Sequence, residues 1–520
     1  MKINKVLIVG GGTSGWMTAA ALSTLYSEQL EVSLVESDKI STVGVGESTI
    51  ILFNRFLEML GIQDEDWMKE CNATYKTSIR FNDFRERNTT FEYPFGGRRD
   101  MQSLVSWAQL AAKYNLPPDS FAAFMSTNFI LARENRLTEN KHKVLPFHFP
   151  SETAYHFDAG LFGQWLKNNY CKNVNKFVDD IVGVEKNEDG SVRWVKGTDG
   201  KNYVADLYID CTGFQSLLLE KEMGAEFLSY KSWLSNDKAI ATHIPYEDKE
   251  NQLNNVTTCT AIENGWVWDI PLWNRIGTGY VYSSDFVDDD TAEQEFKKHL
   301  GKQDIDIRKI DIRHGIRKDG WVKNVLGIGL SYAFVEPLES TSLVSTHLLI
   351  QKLVELLDRE HFHINGFDID GWNYSSQAEM DSFRDFVSLH YKLSSRTDTP
   401  YWKYHTEEKS YFNLNDQGYV HHKPNGPSLN AYEKLHLYHS VEHIWTADDL
   451  GMAYIMAGMG NRPFGNYYLQ WIFESDPEAE GRLKGLYEDW KEKFENAKKF
   501  VLTQPTSYEF LQQKIYGVDN

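Results

Sequence analysis

The chain has few cysteines, and no motif joins them. Its 520 residues include four cysteines, Cys71, Cys171, Cys211 and Cys259, and no two of them have CxxC spacing. A disulfide framework and a cysteine-type zinc site are therefore not expected, and reduced thiols are the default. A chain of this length can bury a full core without cross-links.

Long apolar runs are also missing. No stretch of about 18 apolar residues occurs, so no membrane-spanning helix is expected. The apolar run at residues 6–9 ends in glycines and is too short for the core of a signal peptide. We expect a cytoplasmic protein that does not bind membranes, and a homo-oligomer is compatible with the sequence.

Basic residues are outnumbered by acidic ones. The chain has 54 Lys and Arg against 74 Asp and Glu, a formal charge of −20. Nucleic-acid binding needs a basic surface, so it is not expected. The strings GxxxxGK[ST] and GxSxG are absent, which excludes a P-loop and the nucleophile elbow of α/β-hydrolases. The string HxxEH at residues 439–443 lacks an evident third ligand, and we expect no metal there.

What is present begins with a nucleotide-binding pattern. A predicted buried strand at residues 6–9 leads through Gly10-Gly11-Gly12-Thr13-Ser14-Gly15, a GxGxxG, into a predicted helix at residues 16–25. Gly10 permits the tight turn, Gly12 lets the backbone approach a pyrophosphate, and Gly15 lets helix and strand pack closely. Glu36 ends the next predicted strand, at residues 31–36, and would accept a hydrogen bond from a ribose hydroxyl. The pattern predicts a dinucleotide site.

Later segments bear on which dinucleotide binds. The strings at residues 209–213 and 327–330 lie where many flavoproteins return a strand to the nucleotide fold and pack near the flavin, so they favour FAD over NAD. Strands are also predicted at residues 192–195, 207–209 and 239–243. Near the C-terminus, apolar residues follow helical spacing at Leu483, Leu486, Trp490, Phe494 and Ala497. We expect a mixed α/β body over residues 1–374 and a mainly helical region over 375–520.

Four strings, taken together, resemble one enzyme family. They are Trp266-Val267-Trp268-Asp269-Ile270-Pro271 (WxWxIP), Val335-Glu336-Pro337-Leu338-Glu339-Ser340-Thr341, Val43-Gly44-Val45-Gly46-Glu47-Ser48-Thr49 and Tyr75-Lys76-Thr77. Taken along the chain, from residue 43 to residue 341, they follow the family's order and resemble the flavin-dependent halogenases of the tryptophan and indole halogenase family. Residues 400–402 and 459–463 are weaker matches.

The resemblance implies a fold and a set of partners. The fold is the α/β FAD-binding fold of the p-hydroxybenzoate-hydroxylase-like type, with a mainly helical C-terminal region. The cofactor is FAD, used as FADH2 and supplied by a separate flavin reductase. Oxygen and a halide, chloride or bromide, yield hypohalous acid, which halogenates a small aromatic substrate.

The resemblance also implies residue roles. Lys76, predicted on one strand face with Ser78 and Arg80, delivers the oxidant, and Glu339 orients it and takes up the ring proton. The halide lies at Thr341 and Ser342, where Ser342 replaces the family's glycine and is expected to alter halide fit. Further cofactor contacts are expected from Gly46, Glu47, Ser48, Gly329 and Leu338. From the residues themselves, Ser340 or Thr341 is expected to cap a helix that begins near Leu343.

The aromatic residues leave alternatives open. The chain has 15 tryptophans, which predicts aromatic-lined pockets or a tryptophan-rich core. Trp266 and Trp268 share a strand face and are core residues or, with Ile270 and Pro271, the signature that keeps substrate from the flavin. A substrate pocket is expected at Tyr93, Pro94 and Phe95, with Tyr93 where tryptophan-using members carry histidine. Indole or another electron-rich aromatic is expected, and free tryptophan is one option. An aromatic monooxygenase and a non-catalytic flavin-binding module are the alternatives.

Overall fold

The computed structural model of the protein describes residues 1–39, 46–96, 101–198, 200–408, 449–460, 476 and 478–517. The chain forms two compact units. Unit 1 comprises Met1–Thr74, Ala154–Leu234 and Ile312–Arg384, and unit 2 comprises Tyr75–Thr153, Ser235–Asp311 and Asp385–Asn520. These units follow spatial contacts, whereas the ranges 1–374 and 375–520 divide the chain by element type, and that division stays a prediction. The elements described after residue 392 are helical.

Unit 1 is built on a six-stranded sheet. Its strand Lys5–Val9 pairs in parallel with both Glu31–Glu36 and Leu207–Asp210. Residues 6–9 are buried, as expected for a parallel strand covered on both faces. The strand order is Trp321–Val322, Val325–Gly327, Leu207–Asp210, Lys5–Val9, Glu31–Glu36 and Asn175–Val178. The predicted order of strand, glycine turn, helix and strand is confirmed, with the helix at Thr13–Leu25.

Smaller elements complete unit 1. Two three-stranded sheets consist of Asn202–Tyr203, Val192–Gly197 and Ile181–Lys186, and of Phe227–Ser229, Gly315–Arg317 and Ala333–Phe334. The short strand Glu47–Ser48 pairs with Ala154–Phe157. The helices are Asn54–Leu60, Asp64–Trp67, Ala159–Asn169 and Thr341–Arg359, with short turns at Ile51–Phe53, Gly213–Gln215, Leu217–Glu222, Gly329–Ser331 and Pro337–Glu339. The helix Gly366–Lys392 begins in this unit.

Unit 2 is built on a seven-stranded sheet. Its order is Arg308–Asp311, Lys238–Ile244, Ile276–Tyr282, Gly265–Pro271, Val256–Ala261, Ser78–Asn82 and Thr90–Pro94. All neighbours are antiparallel except Val256–Ala261 and Ser78–Asn82. The helices are Met101–Tyr114, Ser120–Met125, Asn128–Arg133, Phe149–Glu152, Lys249–Gln252, Asp289–Leu300, Pro400–Lys403, Asp449–Gly458, Ala479–Val501 and Ser507–Leu511, with π-helical turns at Tyr404–Glu408 and Gln512–Tyr516.

Most sequence-predicted elements are confirmed. The strands predicted at residues 192–195, 207–209 and 239–243 are Val192–Gly197, Leu207–Asp210 and Lys238–Ile244, and the predicted C-terminal helix is Ala479–Val501. One prediction is wrong. The alternating stretch 74–81 is not one strand, because Thr77 separates Thr74–Lys76 from Ser78–Asn82.

The abundant tryptophans are largely core residues. Among the largest fully buried side chains are Trp16, Trp67, Trp107, Trp266, Trp321 and Trp402. All four cysteines are buried free thiols. No helix in the described part of the chain is both long and apolar enough to cross a membrane.

One buried side chain makes unit 1 sensitive to acid. His347 lies in the helix Thr341–Arg359 and is fully buried, with its ring edge-on to Phe53 at 6.0 Å. Neither ring nitrogen has a hydrogen-bond partner among the described residues. Burial, with a smaller effect from the Arg55 charge, lowers the pKa of His347 to about 3. The imidazole is therefore neutral in the folded protein across the physiological range.

We expect His347→Phe to remove an acid-dependent loss of stability. The unfolded chain protonates this histidine near its ordinary pKa of about 6.5, so wild-type stability falls as pH drops below that value towards 3. Between pH 7.5 and pH 5 the variant should gain about 2 kcal/mol relative to wild type. Denaturant unfolding at both pH values measures this difference, and parallel curves for the two proteins would contradict it.

Candidate active site

The glycine turn after the first strand is shaped for close backbone approach. Gly10 has φ +115°, and a Cβ there would lie 2.3 Å from the Cys211 carbonyl oxygen. A Cβ at Gly15 would lie 1.9 Å from the Gly10 carbonyl oxygen, so helix and strand pack closely, as predicted. A Cβ at Gly12 would meet no atom within 4 Å. The turn is thus closed at Gly10 and Gly15 and open at Gly12.

The start of the following helix favours an anion. The helix Thr13–Leu25 has Gly12 at its N-cap, no capping side-chain bond and no acidic residue in its first turn. The Thr13 hydroxyl donates to the Ala159 carbonyl oxygen. This hydroxyl therefore does not cap the N–H groups of the first turn. Uncapped N–H groups and the positive end of the helix dipole suit a phosphate.

Glu36 lies directly over the turn. A Cβ on Gly11 would come within 1.9 Å of the Glu36 Oε2 atom, so Gly11 must be glycine although the motif leaves this position free. The Lys167 ammonium binds Glu36 Oε1 at 2.5 Å and lies 5.1 Å from the Trp16 ring centre. Sequence analysis missed both roles. The run of three consecutive glycines was a signal for Gly11, whereas no local signal links Lys167 to a residue so far away in the chain.

A second loop closes against the same turn. After the strand Leu207–Asp210, the buried Asp210 carboxylate accepts hydrogen bonds from the N–H groups of Thr212, Leu218 and Leu219 at 2.7–2.9 Å. Burial raises the pKa of Asp210, and these hydrogen bonds oppose the rise. Gly329, at φ +74°, would place a Cβ 2.4 Å from the Ser14 hydroxyl oxygen. The segment at residues 209–213, predicted to return a strand to the nucleotide fold, therefore does so, and Gly329 contacts the same turn.

The segment before residue 50 contacts the loop that carries Glu339. The Ser340 hydroxyl donates to the Ser48 hydroxyl oxygen at 3.1 Å. Burial, with a smaller effect from the Asp158 carboxylate, raises the pKa of Glu47 to about 7. Gly46 has φ +90°. Residues 43–45 of the predicted loop lie outside the described residues.

The expected helix cap near residue 340 is wrong. The helix begins at Thr341, two residues earlier than predicted, and Ser340, at φ +58°, makes no side-chain capping bond. The Thr341 hydroxyl donates backwards to the Val335 and Glu336 carbonyl oxygens. The first turn holds no acidic residue. Its N–H groups are thus uncapped by Ser340, and Ser342, half-buried, adds a side chain beside them.

The residues before this helix form a short buried turn, Pro337–Glu339. Leu338 and Glu339 are both buried, at 1% and 4% exposure. Glu339 therefore belongs to unit 1, in the same loop as Ser340 and Thr341.

Lys76, the other residue to which the resemblance gives a role in catalysis, belongs to unit 2. It ends the strand Thr74–Lys76, its side chain is fully buried, and its ammonium lies 5.2 Å from the centre of the Phe95 ring. A lysine is almost never fully buried without a specific environment. Phe95 is next to the strand Thr90–Pro94, which also carries Tyr93 and Pro94. The structure thus brings together Lys76 and the predicted substrate aromatic Phe95.

The other predicted aromatics are placed within unit 2. The Tyr93 ring stacks on Tyr454, with centres 5.3 Å apart. Trp266 and Trp268 lie in the strand Gly265–Pro271, buried and with ring centres 6.1 Å apart, and Ile270 and Pro271 end that strand. A Cβ on Gly279 would lie 2.2 Å from the Trp268 ring, so this glycine makes room for it.

Two of the strings considered in the sequence lie outside the residues that the structure describes. Residues 461–463 and the HxxEH string at 439–443 are not among the described residues. Within the described ranges, no group of three or more His, Cys, Asp or Glu side chains is arranged to hold a metal ion.

Comparison with known proteins identifies a family for the whole chain. The sequence profile described as "Tryptophan halogenase" matches residues 5–464. Tryptophan 6-halogenase SttH of Streptomyces toxytricini is 36% identical over 428 residues, which cover 77% of this chain and 80% of that protein. The 7-chloro-L-tryptophan 6-halogenase KtzR of Kutzneria sp. (strain 744) is 35% identical, covering 76% and 81%.

Solved structures extend the likeness over the whole chain. The VirX1 apo structure superimposes with a TM-score of 0.91 at 45% identity, covering 99% of this chain and 100% of that one. Xcc4156, a flavin-dependent halogenase from Xanthomonas campestris, superimposes with a TM-score of 0.82 at 27% identity, covering 99% of each chain. The predicted fold class is confirmed. The chain belongs to the tryptophan halogenase family, whose members are flavin-dependent enzymes.

Proposed function

We propose that this protein halogenates an electron-rich, indole- or tryptophan-like aromatic by way of Lys76 and Glu339. The observation that carries the proposal is the full burial of the Lys76 ammonium against Phe95. A surface lysine would only be solvated, whereas a desolvated one can hold an oxidant beside an aromatic ring. Tryptophan enters through the names of SttH and KtzR.

The residues present fit FAD. The open space at Gly12 and the uncapped start of the helix Thr13–Leu25 suit the pyrophosphate. The Glu36 carboxylate, fixed by Lys167 through one oxygen, keeps its other oxygen over the turn for a ribose hydroxyl. When bound, reduced FAD supplies the two electrons of the reaction FADH2 + O2 + X⁻ + H⁺ → FAD + HOX + H2O.

The protein's own residues direct the halide and the oxidant. The uncapped N–H groups at Thr341 and Ser342 hold the halide. Lys76 Nζ receives hypohalous acid as a hydrogen-bonded adduct or a haloamine and presents it to the ring. The ring gains the C–X bond and loses its C–H proton to the Glu339 carboxylate, while the hydroxide of HOX takes a proton from the Lys76 ammonium and leaves as water. The proton on Glu339 then replaces the one lost from Lys76. Buried Trp266 and Trp268 fill space that substrate would otherwise enter.

We expect Gly12→Val to weaken FAD binding without unfolding the protein. The residue has φ −74° and ψ −178°, which valine adopts freely, and nothing lies within 4 Å of its Cβ position. The added methyl groups would instead fill the space for the pyrophosphate, so FAD affinity should fall at least about tenfold. A fluorescence titration measures the affinity, and the melting temperature of the cofactor-free protein is the control. Unchanged FAD affinity would mean that the cofactor binds elsewhere.

We expect Lys76→Ala to lose halogenation by about 10²-fold or more while oxygen consumption by reduced FAD stays near normal. Lys113→Ala is a matched control, since Lys113 is an exposed lysine of the same unit, paired with Glu480. Product formation and oxygen uptake are followed together. Halogenation above a few per cent of wild type would remove Lys76 from the reaction. Hydroxylated product formed without any halide would favour the monooxygenase alternative.

Halide choice should depend on Ser342. A helix terminus contributes on the order of 0.5–2 kcal/mol to anion binding, so local shape can reverse the preference. We expect wild-type activity with bromide at least equal to that with chloride, and Ser342→Gly should shift the ratio towards chloride. Ser342→Ala, which keeps Cβ but lacks the hydroxyl, separates shape from hydrogen bonding. Competition assays with mixed halides test this, and the same ratio in wild type and Ser342→Gly would refute it.

A further inference from the structure

The residues on either side of Lys76 are both held by the rest of unit 2. Thr77 donates its N–H to the Asn255 carbonyl oxygen at 2.8 Å and its hydroxyl to the same oxygen at 3.2 Å. The Thr77 carbonyl oxygen accepts the Phe95 N–H at 2.8 Å. On the other side, the Tyr75 ring meets Phe149 edge-on at 4.8 Å. Lys76 therefore has little freedom of its own backbone.

Both supports lead to the same distant element, the short helix Ser507–Leu511. Its Phe510 ring lies 5.9 Å from Tyr75 and 5.3 Å from Phe149. The Ser507 hydroxyl donates to Asn135 Oδ1 at 2.7 Å, and the Ser507 N–H donates to the Asn135 carbonyl oxygen at 3.0 Å. Phe510 thus reaches the residue before Lys76, and Ser507 reaches Asn135.

Asn135 continues the second route to Thr77. Its Oδ1 also accepts the N–H of Asn255 at 3.2 Å, and its Nδ2 donates to the Leu253 carbonyl oxygen at 3.0 Å. Asn255 is fully buried, and its own Nδ2 donates to the Leu131 and Arg136 carbonyl oxygens. Asn135 has φ +49°, a left-handed conformation in which asparagine is favoured. One polar side chain therefore connects the C-terminal helix to Asn255, which precedes the strand Val256–Ala261 and accepts the Thr77 hydrogen bonds.

The C-terminal segment is itself firmly docked on unit 2. Beyond the helix, the Tyr516 ring stacks on Trp273 with centres 3.8 Å apart, and the Lys249 ammonium lies 3.3 Å from the Trp273 ring centre. Before the helix, Arg136 donates to the Gln504 carbonyl oxygen at 2.7 Å. A segment that is held at both ends can keep the residues it contacts in place, whereas a frayed terminus cannot.

We infer that the C-terminal helix Ser507–Leu511 is a positioning element for Lys76, acting through Phe510 on Tyr75 and through Ser507 and Asn135 on Thr77. The inference rests on the proposed function, in which Lys76 Nζ must hold hypohalous acid at the ring. Displacement of a reacting group by about 1 Å can cost a large factor in rate. The consequence is specific: oxidant that Lys76 fails to present escapes into solution.

The test measures the transfer fraction, defined as halogenated substrate divided by the sum of halogenated substrate and hypohalous acid captured by an external scavenger. This ratio does not change when part of the enzyme is unfolded. The double variant S507A/F510A breaks both routes and should lower the transfer fraction at least about fivefold. The variant Phe510→Leu, which keeps apolar packing against Tyr75, should stay close to wild type.

The matched control is Glu509→Ala. Glu509 is exposed on the same helix, and its carboxylate accepts the Thr506 N–H in a capping box, so its loss destabilises the helix without touching Asn135 or Tyr75. Its transfer fraction should equal that of wild type even though its melting temperature falls. An unchanged transfer fraction in S507A/F510A, or an equal fall in Glu509→Ala, overturns the inference. If Lys76→Ala itself keeps the wild-type fraction, the proposed function fails instead.

Discussion

Keeping one ammonium group out of water is the constraint around which unit 2 is arranged. A buried charge is costly unless its surroundings replace its hydration. At Lys76 part of this replacement is the face of Phe95, 5.2 Å from the ammonium, and desolvated cation–π contacts of this kind contribute about 2 kcal/mol. The backbone of Thr77 joins the two residues, because it is bonded to Phe95 on one side and Asn255 on the other. Thr77, the residue that separates the two strands, therefore holds both Lys76 and Phe95 in place.

Unit 1 meets the opposite requirement, since the ligands proposed for it are anions. Two helices, Thr13–Leu25 and Thr341–Arg359, begin without a capping side-chain bond and without an acidic residue in the first turn. A side-chain cap stabilises a helix by about 1 kcal/mol relative to alanine, but only by roughly a few tenths of that relative to glycine, the N-cap residue of the first of these helices. Their N–H groups can then bind phosphate or halide. At both places a serine hydroxyl is engaged elsewhere, Ser340 with Ser48 and Ser14 near Thr346.

The sequence predicts those parts of the site that depend on local pattern. Gly10, Gly12, Gly15 and Glu36 follow from one strand–turn–helix–strand unit, and the structure places them as expected. The break at Thr77 could not be predicted, because the alternation of Lys76, Ser78 and Arg80 continues through it, and only the sheet topology assigns Thr74–Lys76 and Ser78–Asn82 to different sheets. The prediction of a side-chain cap at Ser340 or Thr341 was wrong because these hydroxyls bind elsewhere. Ser340 and Thr341 have the side chains of caps, but the Ser340 hydroxyl binds distant Ser48 and the Thr341 hydroxyl binds carbonyl oxygens of the preceding loop.

Residues that act across long stretches of sequence leave no local trace. Lys167 reaches Glu36 across 131 positions, and Ser507 reaches Asn135 across 372. Each lies on a helix, and no neighbouring residue in the sequence points to its distant partner. Asn135 is the partial exception, because asparagine tolerates the left-handed backbone that its place in the network requires. A site assembled from several strand ends must fix each end through the elements that pack behind it. The C-terminal helix therefore belongs to the chemistry of Lys76 as much as the residues adjacent to that lysine do.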